Sequence, residues 1–278
     1  MPELPEVETV KRALEARLPG HEFVRIETFV PALRYRLEPL HDAALLHDTI
    51  ISVRRRARYL IIELAGCRAL VLHLGMTGTV RIVPAETPRL KHEHVVFYLE
   101  NGDTFRFDDP RRFGFIQPCR LEAPGAEPAL LAGLGPEPLS TAFTPEYLAK
   151  AFAGRRTRVK TALMDNAIVV GIGNIYANES LFLSGINPLT PAGRITLEQC
   201  RLLVDNVRDT LQRAITAGGT TISDFKGVDG SEGKFVQQLH IYGKDGEPCP
   251  HCGTPIRRVV IGGRGSFYCS KCQKADRE

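Results

Sequence analysis

Hydrophobic residues recur at helical spacing from Pro5 through Leu18. Val7, Val10, Leu14 and Leu18 share one face, Pro5 suits a first helical turn, and Leu18-Pro19-Gly20 stops the helix. Residues 22–118 change pattern. His21–Val30, Ile50–Leu64, Ala69–Val83 and His94–Asp108 are rich in Val, Ile, Leu, Phe and Tyr, and read as β structure. The clearest hairpin turns at Asn101-Gly102, which is expected to supply a pair of positive φ angles. Several antiparallel strands behind one helix predict a sandwich or flattened barrel. Residues 119–144, rich in Pro, Ala, Gly and Leu, read as an ordered linker. Helices are then expected over Thr144–Phe152, Val159–Asp165, Asn174–Ser184 and about Thr196–Ala217. In the last, Thr196-x-x-Gln199 is a capping-box pattern, and Cys200, Leu203, Val204, Val207, Leu211 and Ile215 form one stripe ending at Gly218-Gly219. Residues 218–238 are polar and Gly-rich and read as a mobile loop. The expected organisation is therefore α+β and multidomain: residues 1–118 a helix plus β-sandwich, 119–144 a linker, 145–238 a helical domain with its loop, and 239–278 a small hairpin module.

That last module carries the strongest local chemistry. Cys249-Pro-His-Cys252 and Cys269-Ser-Lys-Cys272 are two C-x2-C pairs separated by sixteen residues. Each pair turns tightly enough to aim two thiolates at one ion, and four thiolates close a tetrahedral zinc site with no open position for catalysis. One structural Zn2+ is expected, because so small a module cannot bury enough core alone. A pair of redox motifs is the competing reading, and His251 is a possible substitute ligand. Gly262-Gly263-Arg264-Gly265 is expected to form the hairpin tip, with Arg264 at its apex able to reach a phosphate. The other cysteines, Cys67, Cys119 and Cys200, are scattered and suit a reducing compartment.

The 278 residues carry a net charge of +4, too small to identify a partner. Its distribution says more: 19 basic and 20 acidic side chains lie in residues 1–150, against 17 and 12 in residues 151–278. The excess favours a polyanion near the second half. No run of about 18 apolar residues exists and the acidic N-terminus is no secretory signal, so no membrane association and a cytoplasmic location are expected. Arginines cluster at Arg54-Arg55-Arg56-Ala-Arg58, Arg111-Arg112-Phe113 and Arg155-Arg156-Thr-Arg158-Val-Lys160. Their planar forks suit phosphates, and neighbouring aromatic or Met side chains suit wedging between bases. Gly171-Ile-Gly173-Asn174 before an apolar helix is either an anion site or a plain turn. A small residue at position 2 commonly permits removal of Met1. Pro2 would then expose an α-amine with a pKa of about 7.7–8.0, partly neutral and nucleophilic near pH 7.

Pro2-Glu-Leu-Pro-Glu-Val-Glu-Thr9, His73-Leu-Gly-Met-Thr-Gly78, Lys91-His-Glu-His94, Asp109-Pro-Arg-Arg-Phe-Gly114, Leu163-Met-Asp-Asn166, Gly171-Ile-Gly-Asn-Ile-Tyr-Ala-Asn-Glu-Ser180 and the four-cysteine hairpin occur in this order. Together they resemble the bacterial formamidopyrimidine-DNA glycosylases over essentially the whole chain. The opening Pro-Glu-Leu-Pro-Glu resembles this branch more than endonuclease VIII. The resemblance implies an N-terminal β-sandwich, a helix–two-turns–helix domain and a zinc finger acting as a monomer on damaged double-stranded DNA. It implies excision of oxidised purines through a Pro2 iminium, followed by β- and δ-elimination. Glu3 would serve acid/base steps and Arg264 δ-elimination. Met76, Arg111 and Phe113 would fill the gap left by an everted base, while His92, Arg155, Lys160 and Asn174 would hold phosphates. The polar stretch 218–238 would close over the everted base. Arg58 stands where the family usually has Lys. It is expected to keep phosphate binding, but its pKa above about 12 makes it a poor proton donor. Gly233-Lys-Phe235 also departs from the family's usual pattern. A non-catalytic damage-sensing protein and a glycosylase preferring oxidised pyrimidines are the alternatives. The expected DNA site is not confined to the basic half, since Arg58, His92 and Arg111 lie in the near-neutral one.

Overall fold

The structure is a computed structural model that describes residues 2–220 and 235–274. The chain divides into two compact units: Met1–Ala132 with Ala217–Lys234, and Gly133–Thr216 with Phe235–Glu278.

The first unit opens with α1 (Leu4–Glu15), whose Val7, Val10 and Leu14 are buried. Eight strands follow: β1 (Phe23–Thr28), β2 (Ile50–Arg56), β3 (Tyr59–Leu64), β4 (Arg68–His73), β5 (Thr79–Pro84), β6 (Glu93–Leu99), β7 (Asp103–Asp108) and β8 (Phe115–Arg120). They form two antiparallel four-stranded sheets, ordered β1-β6-β7-β5 and β2-β3-β4-β8. Period-2 alternation sends Leu60, Ile62 and Leu64 of one sheet and Val95, Phe97 and Leu99 of the other into a single core, joined by Val7, Val10 and Leu14 of α1. Each such side chain, taken fully out of water, contributes about 1.5–3 kcal/mol.

The β-rich stretches resolve into more strands than stretches, and one turn differs from the sequence expectation. Ile50–Leu64 is two strands, because Ala57 turns the chain with φ +55°. Ala69–Val83 is also two strands, and β4 and β5 belong to different sheets. The β6–β7 turn has a positive φ only at Gly102 (+88°), not at Asn101. Gly102 N–H donates to the Leu99 carbonyl at 3.2 Å, and Asn101 Oδ1 accepts from Asp103 N–H at 2.9 Å. The loop is thus three residues long, with glycine in the left-handed last position.

The segment after β8 is shared. Gly125 N–H donates to Glu63 at 2.5 Å and Arg54 to the Ala126 carbonyl at 3.0 Å, which fastens 121–126 to the first unit. Gly135 N–H donates to the Asn166 carbonyl at 2.8 Å, within the second unit.

That unit contains α2 (Pro145–Phe152), α3 (Val159–Leu163), α4 (Asn174–Leu183), α5 (Leu197–Thr216) and the hairpin β9 (Arg257–Ile261) and β10 (Arg264–Tyr268). Thr144 caps α2 by accepting from Tyr147 N–H. The Thr196/Gln199 capping box of α5 is formed in both directions, at 2.9 and 3.2 Å, and every residue of its apolar stripe is buried. The hairpin tip is Gly262-Gly263, both with positive φ. Arg264 is therefore not the apex residue. It begins β10, opposite Ile261.

Candidate functional site

At the head of α1, Pro2 and Glu3 are both buried. Glu3 is the N-cap residue, and its backbone N–H donates to Glu6 Oε2 at 2.8 Å. Glu6, itself 2% exposed, uses its other oxygen to accept from Thr220 N–H at 2.7 Å. One carboxylate thus anchors both the chain start and the segment entering residues 221–234. Sequence reading passed over Glu6, although an acid at the third helical position after a cap is a recognised signal. The expected base-closing loop lies largely in 221–234, outside the described residues, as do Gly233 and Lys234. Phe235 is buried.

Arg58 follows the left-handed Ala57 and is 9% exposed. Its neighbours in the arginine run are committed elsewhere. Arg54 pairs with Glu63 at 3.1 Å, Arg55 with Glu8 at 2.8 Å and Arg56 with Glu127 at 2.7 Å. Three arginines of the run are therefore already paired with carboxylates. Burial alone would raise the Glu8 carboxyl, but hydrogen bonds and charge from Arg55 and Arg12 outweigh it and hold the pKa low. Beside Arg58 stands His73. Burial first, then the charges of Arg58 and Arg34, push its imidazole down to about 4. It is neutral at physiological pH, and its Nδ1 accepts from Gly75 N–H at 3.0 Å.

Met76, Arg111 and Phe113 sit on two loops of the same unit. Met76 and Phe113 are among the exposed large apolar side chains, at 40% and 48%. The Arg111 guanidinium lies 4.8 Å from the Phe113 ring centroid. Gly75 and Gly114 let the two loops meet backbone to backbone: a Cβ on Gly75 would come within 2.4 Å of Gly114 N. His92 is half-buried and directly precedes Glu93, whose fully buried carboxylate is shared by Arg81 and Arg106. That ion network was not anticipated.

In the second unit Lys160 is 1% exposed. Its ammonium donates to Asn174 Oδ1 at 2.6 Å, to the Gly265 carbonyl at 3.0 Å and to Ser266 Oγ at 2.6 Å. Asn174 Nδ2 also donates to the Gly265 carbonyl, at 3.1 Å. Lys160 and Asn174 thus tie α3 and α4 to the strand carrying Arg264. A cavity of about 260 Å³ lies alongside, lined by Arg155, Thr157, Lys160, Thr161, Gly262 and Arg264 among others. Arg155 and Arg264 are exposed there.

Cys249, Cys252, Cys269 and Cys272 converge, with their sulfurs all within 4.8 Å of one another. The Cys249–Cys272 and Cys252–Cys269 separations are 3.9 and 3.5 Å. Four sulfurs about 2.3 Å from a tetrahedral zinc would stand about 3.8 Å apart, so the site fits the ion. These thiolates hold a structural zinc with a closed shell. His251 is not part of the cluster; its ring stacks on Phe182 at 4.8 Å. Gln273, fully buried, fastens the second pair. Its side chain accepts from Cys269 N–H at 2.9 Å and donates to the Ile186 carbonyl at 2.8 Å.

Three family models match in succession: the formamidopyrimidine-DNA glycosylase N-terminal domain over residues 1–116, the H2TH domain of the same enzymes over 134–226, and a zinc finger found in FPG and IleRS over 246–275. A formamidopyrimidine-DNA glycosylase of Xanthomonas campestris pv. campestris is 48% identical, covering 99% of this chain and all of that one. One from Hydrogenovibrio crunogenus is 45% identical over 99% of this chain and 97% of its own. Among solved structures, a Lactococcus lactis FPG mutant in complex with a Fapy-dG containing DNA superposes with a TM-score of 0.90 at 33% identity, covering 99% of this chain and 100% of that one. The MutM (FPG) protein from Thermus thermophilus does so with 0.87 at 38%, with the same coverage. With the motifs in order, the four-cysteine site formed and relatives matching end to end, the chain belongs to the formamidopyrimidine-DNA glycosylase family.

Proposed function

We propose that this chain is a base-excision enzyme that removes oxidised purines, 8-oxoguanine and ring-opened formamidopyrimidines, from duplex DNA and then cuts the strand at the resulting abasic site. The observation that carries the reading is the buried Pro2-Glu3 pair at the head of α1 in a chain whose relatives are named formamidopyrimidine-DNA glycosylases over their full length. Their solved counterparts include a Lactococcus lactis Fpg with an abasic site containing DNA.

With Met1 removed, Pro2 is a secondary amine that attacks C1′ of an everted nucleotide. The C1′–base bond breaks, the base leaves with the bonding pair and takes up a proton, and the opened sugar forms an iminium. That iminium is an electron sink. Loss of a C2′ proton expels the 3′ phosphate, and a second elimination expels the 5′ phosphate. Glu3 moves the protons at the sugar. Arg264 and Arg58 hold phosphate, and Arg155, His92 and Asn174 contribute further backbone contacts. Lys160, committed to Asn174 and β10, acts by fixing the strand that bears Arg264. Met76 and Phe113 replace the lost stacking, and Arg111 addresses the orphaned base.

Arginine at position 58 keeps charge but gives up a proton poorly. Arg58→Lys is therefore expected to change the elimination rates, and equal rates for both proteins would sink this reading of the substitution. The function as a whole is tested with a duplex holding 8-oxoguanine opposite cytosine. The native chain should release the base and leave a one-nucleotide gap, and Pro2→Gly should weaken both steps. Tight binding of that duplex without any base release would instead favour a damage-sensing protein. Faster release of an oxidised pyrimidine would favour the other substrate class.

A further inference from the structure

The three side chains assigned above to the gap left by an everted base come from two loops, 74–78 and 109–114. Each loop is tightly closed. Gly78 N–H donates to the Leu74 carbonyl at 2.8 Å, and a Cβ on Gly78 would stand 2.2 Å from that oxygen. In the second loop Arg112 adopts φ +56°, a left-handed conformation that is strained for a non-glycine residue. Its N–H donates to the Asp109 carbonyl at 3.1 Å.

The group joining the loops is Asp109, which is 0% exposed. Its Oδ1 accepts from Thr77 Oγ at 2.7 Å. Its Oδ2 accepts from Gly114 N–H at 2.7 Å. Thr77 Oγ accepts in turn from Arg111 N–H at 3.3 Å. Thr77 follows Met76 and Gly114 follows Phe113, so this one carboxylate bridges the backbones beside the two apolar side chains and, through Thr77, reaches the backbone of Arg111.

We propose that Asp109 and Thr77 form a brace that holds Met76, Arg111 and Phe113 at fixed spacing before DNA arrives, making Asp109 a positioning residue for base eversion. The proposal rests on the gap-filling reading of those three side chains. Such a brace preorganises the loops. Opening a base step is itself costly, and ordering loop residues at the moment of binding would add a further entropic cost. A braced pair of loops has met that cost during folding. Among the described residues, the hydrogen bonds that the carboxylate accepts both come from these loops.

The test compares single-turnover excision of 8-oxoguanine from duplex DNA with strand scission at an abasic site in single-stranded DNA, where no stack needs filling. Thr77→Val keeps shape and removes one link. It should slow duplex excision about 2- to 12-fold, the worth of one hydrogen bond, while changing single-strand scission less than about 2-fold on the same footing. Asp109→Ala should lose more on duplex DNA. Asp109→Asn should recover most of that loss, since its amide can accept from Gly114 and donate to Thr77 Oγ. Equal losses on the two substrates, or native duplex rates for both Thr77→Val and Asp109→Ala, would overturn the proposal. Met76→Ala and Phe113→Ala separate it from its premise. If they too show no preference for duplex substrate, the gap-filling reading fails; if they show it and the brace variants do not, the brace alone fails.

Discussion

Removing the carboxylate of Glu93 should destabilise the first unit by more than any surface change. Glu93 is 0% exposed and Arg106 3%. Glu93 Oε1 accepts from Arg81 Nε at 2.9 Å, and Oε2 from Arg106 Nη1 at 3.4 Å and Leu90 N–H at 2.8 Å. Arg106 also donates to Thr104 Oγ1 and to the Pro84 and Ala85 carbonyls. Glu93→Gln leaves a buried guanidinium without its counter-charge, a change that costs about 3–5 kcal/mol. Arg81 has side-chain exposure of 28% and can turn to water, so the cost falls on Arg106. For a unit of this size, each kcal/mol lowers the melting temperature by about 2–4 °C, giving about 6–20 °C in all. The chain has no Trp, so far-ultraviolet circular dichroism is the suitable readout. Adding Arg106→Met to Glu93→Gln removes the stranded charge and should recover at least half of the loss. A Glu93→Gln protein that melts within about 2 °C of the native one, or a double variant as unstable as the sum of its two singles, would show that Arg106 does not depend on Glu93 for its counter-charge.

Three further outcomes follow from the same geometry. Chelation, or Cys249→Ser, should remove zinc and with it DNA affinity, because modules of this kind draw about 10–16 kcal/mol from the metal; metal analysis finding the native zinc content with unchanged affinity would contradict this. Glu179, 1% exposed, accepts from the backbone N–H groups of His240, Ile241 and Tyr242 and from the His240 ring. Burial alone would raise its pKa, but these bonds lower it below the ordinary 4.5. Its stabilisation is therefore complete above about 4.5 and is lost as pH falls through the lowered folded value. The stability gap between the native chain and Glu179→Gln, measured by urea unfolding, should narrow below that pH and stay constant above it; a gap independent of pH down to about 3 would refute the assignment. Gly78→Ala forces a Cβ to within 2.2 Å of the Leu74 carbonyl and should cost about 1–3 kcal/mol with loss of duplex excision; native behaviour in both assays would show that the loop yields freely.

The elements with strong local signals were legible. The stripe of α5, its capping box and the four-cysteine spacing all appear where periodicity and spacing put them. Turns made by residues with no turn preference were not. Ala57 enters the left-handed region because β2 and β3 must pair and α1 packs beside them, a tertiary constraint invisible in Arg-Arg-Ala-Arg. Long-range pairing also governs the basic run: Glu8, Glu63 and Glu127, distant in sequence, neutralise three of its arginines. Arg264 was one residue off the apex, since Gly262 and Gly263 suffice for a two-residue turn. The roles of Asp109 and Glu6 lie in what they join across the chain, which no local pattern records.

The proposed chemistry runs through a covalent bond to the Pro2 nitrogen. Borohydride reduction of the chain mixed with a duplex holding 8-oxoguanine opposite cytosine should yield a protein–DNA adduct, and peptide mapping should place it on Pro2. Protein retaining Met1, whose proline nitrogen is an amide, should form none. An adduct mapped to a lysine, or no adduct from protein with Pro2 exposed, would rule out Pro2 as the nucleophile.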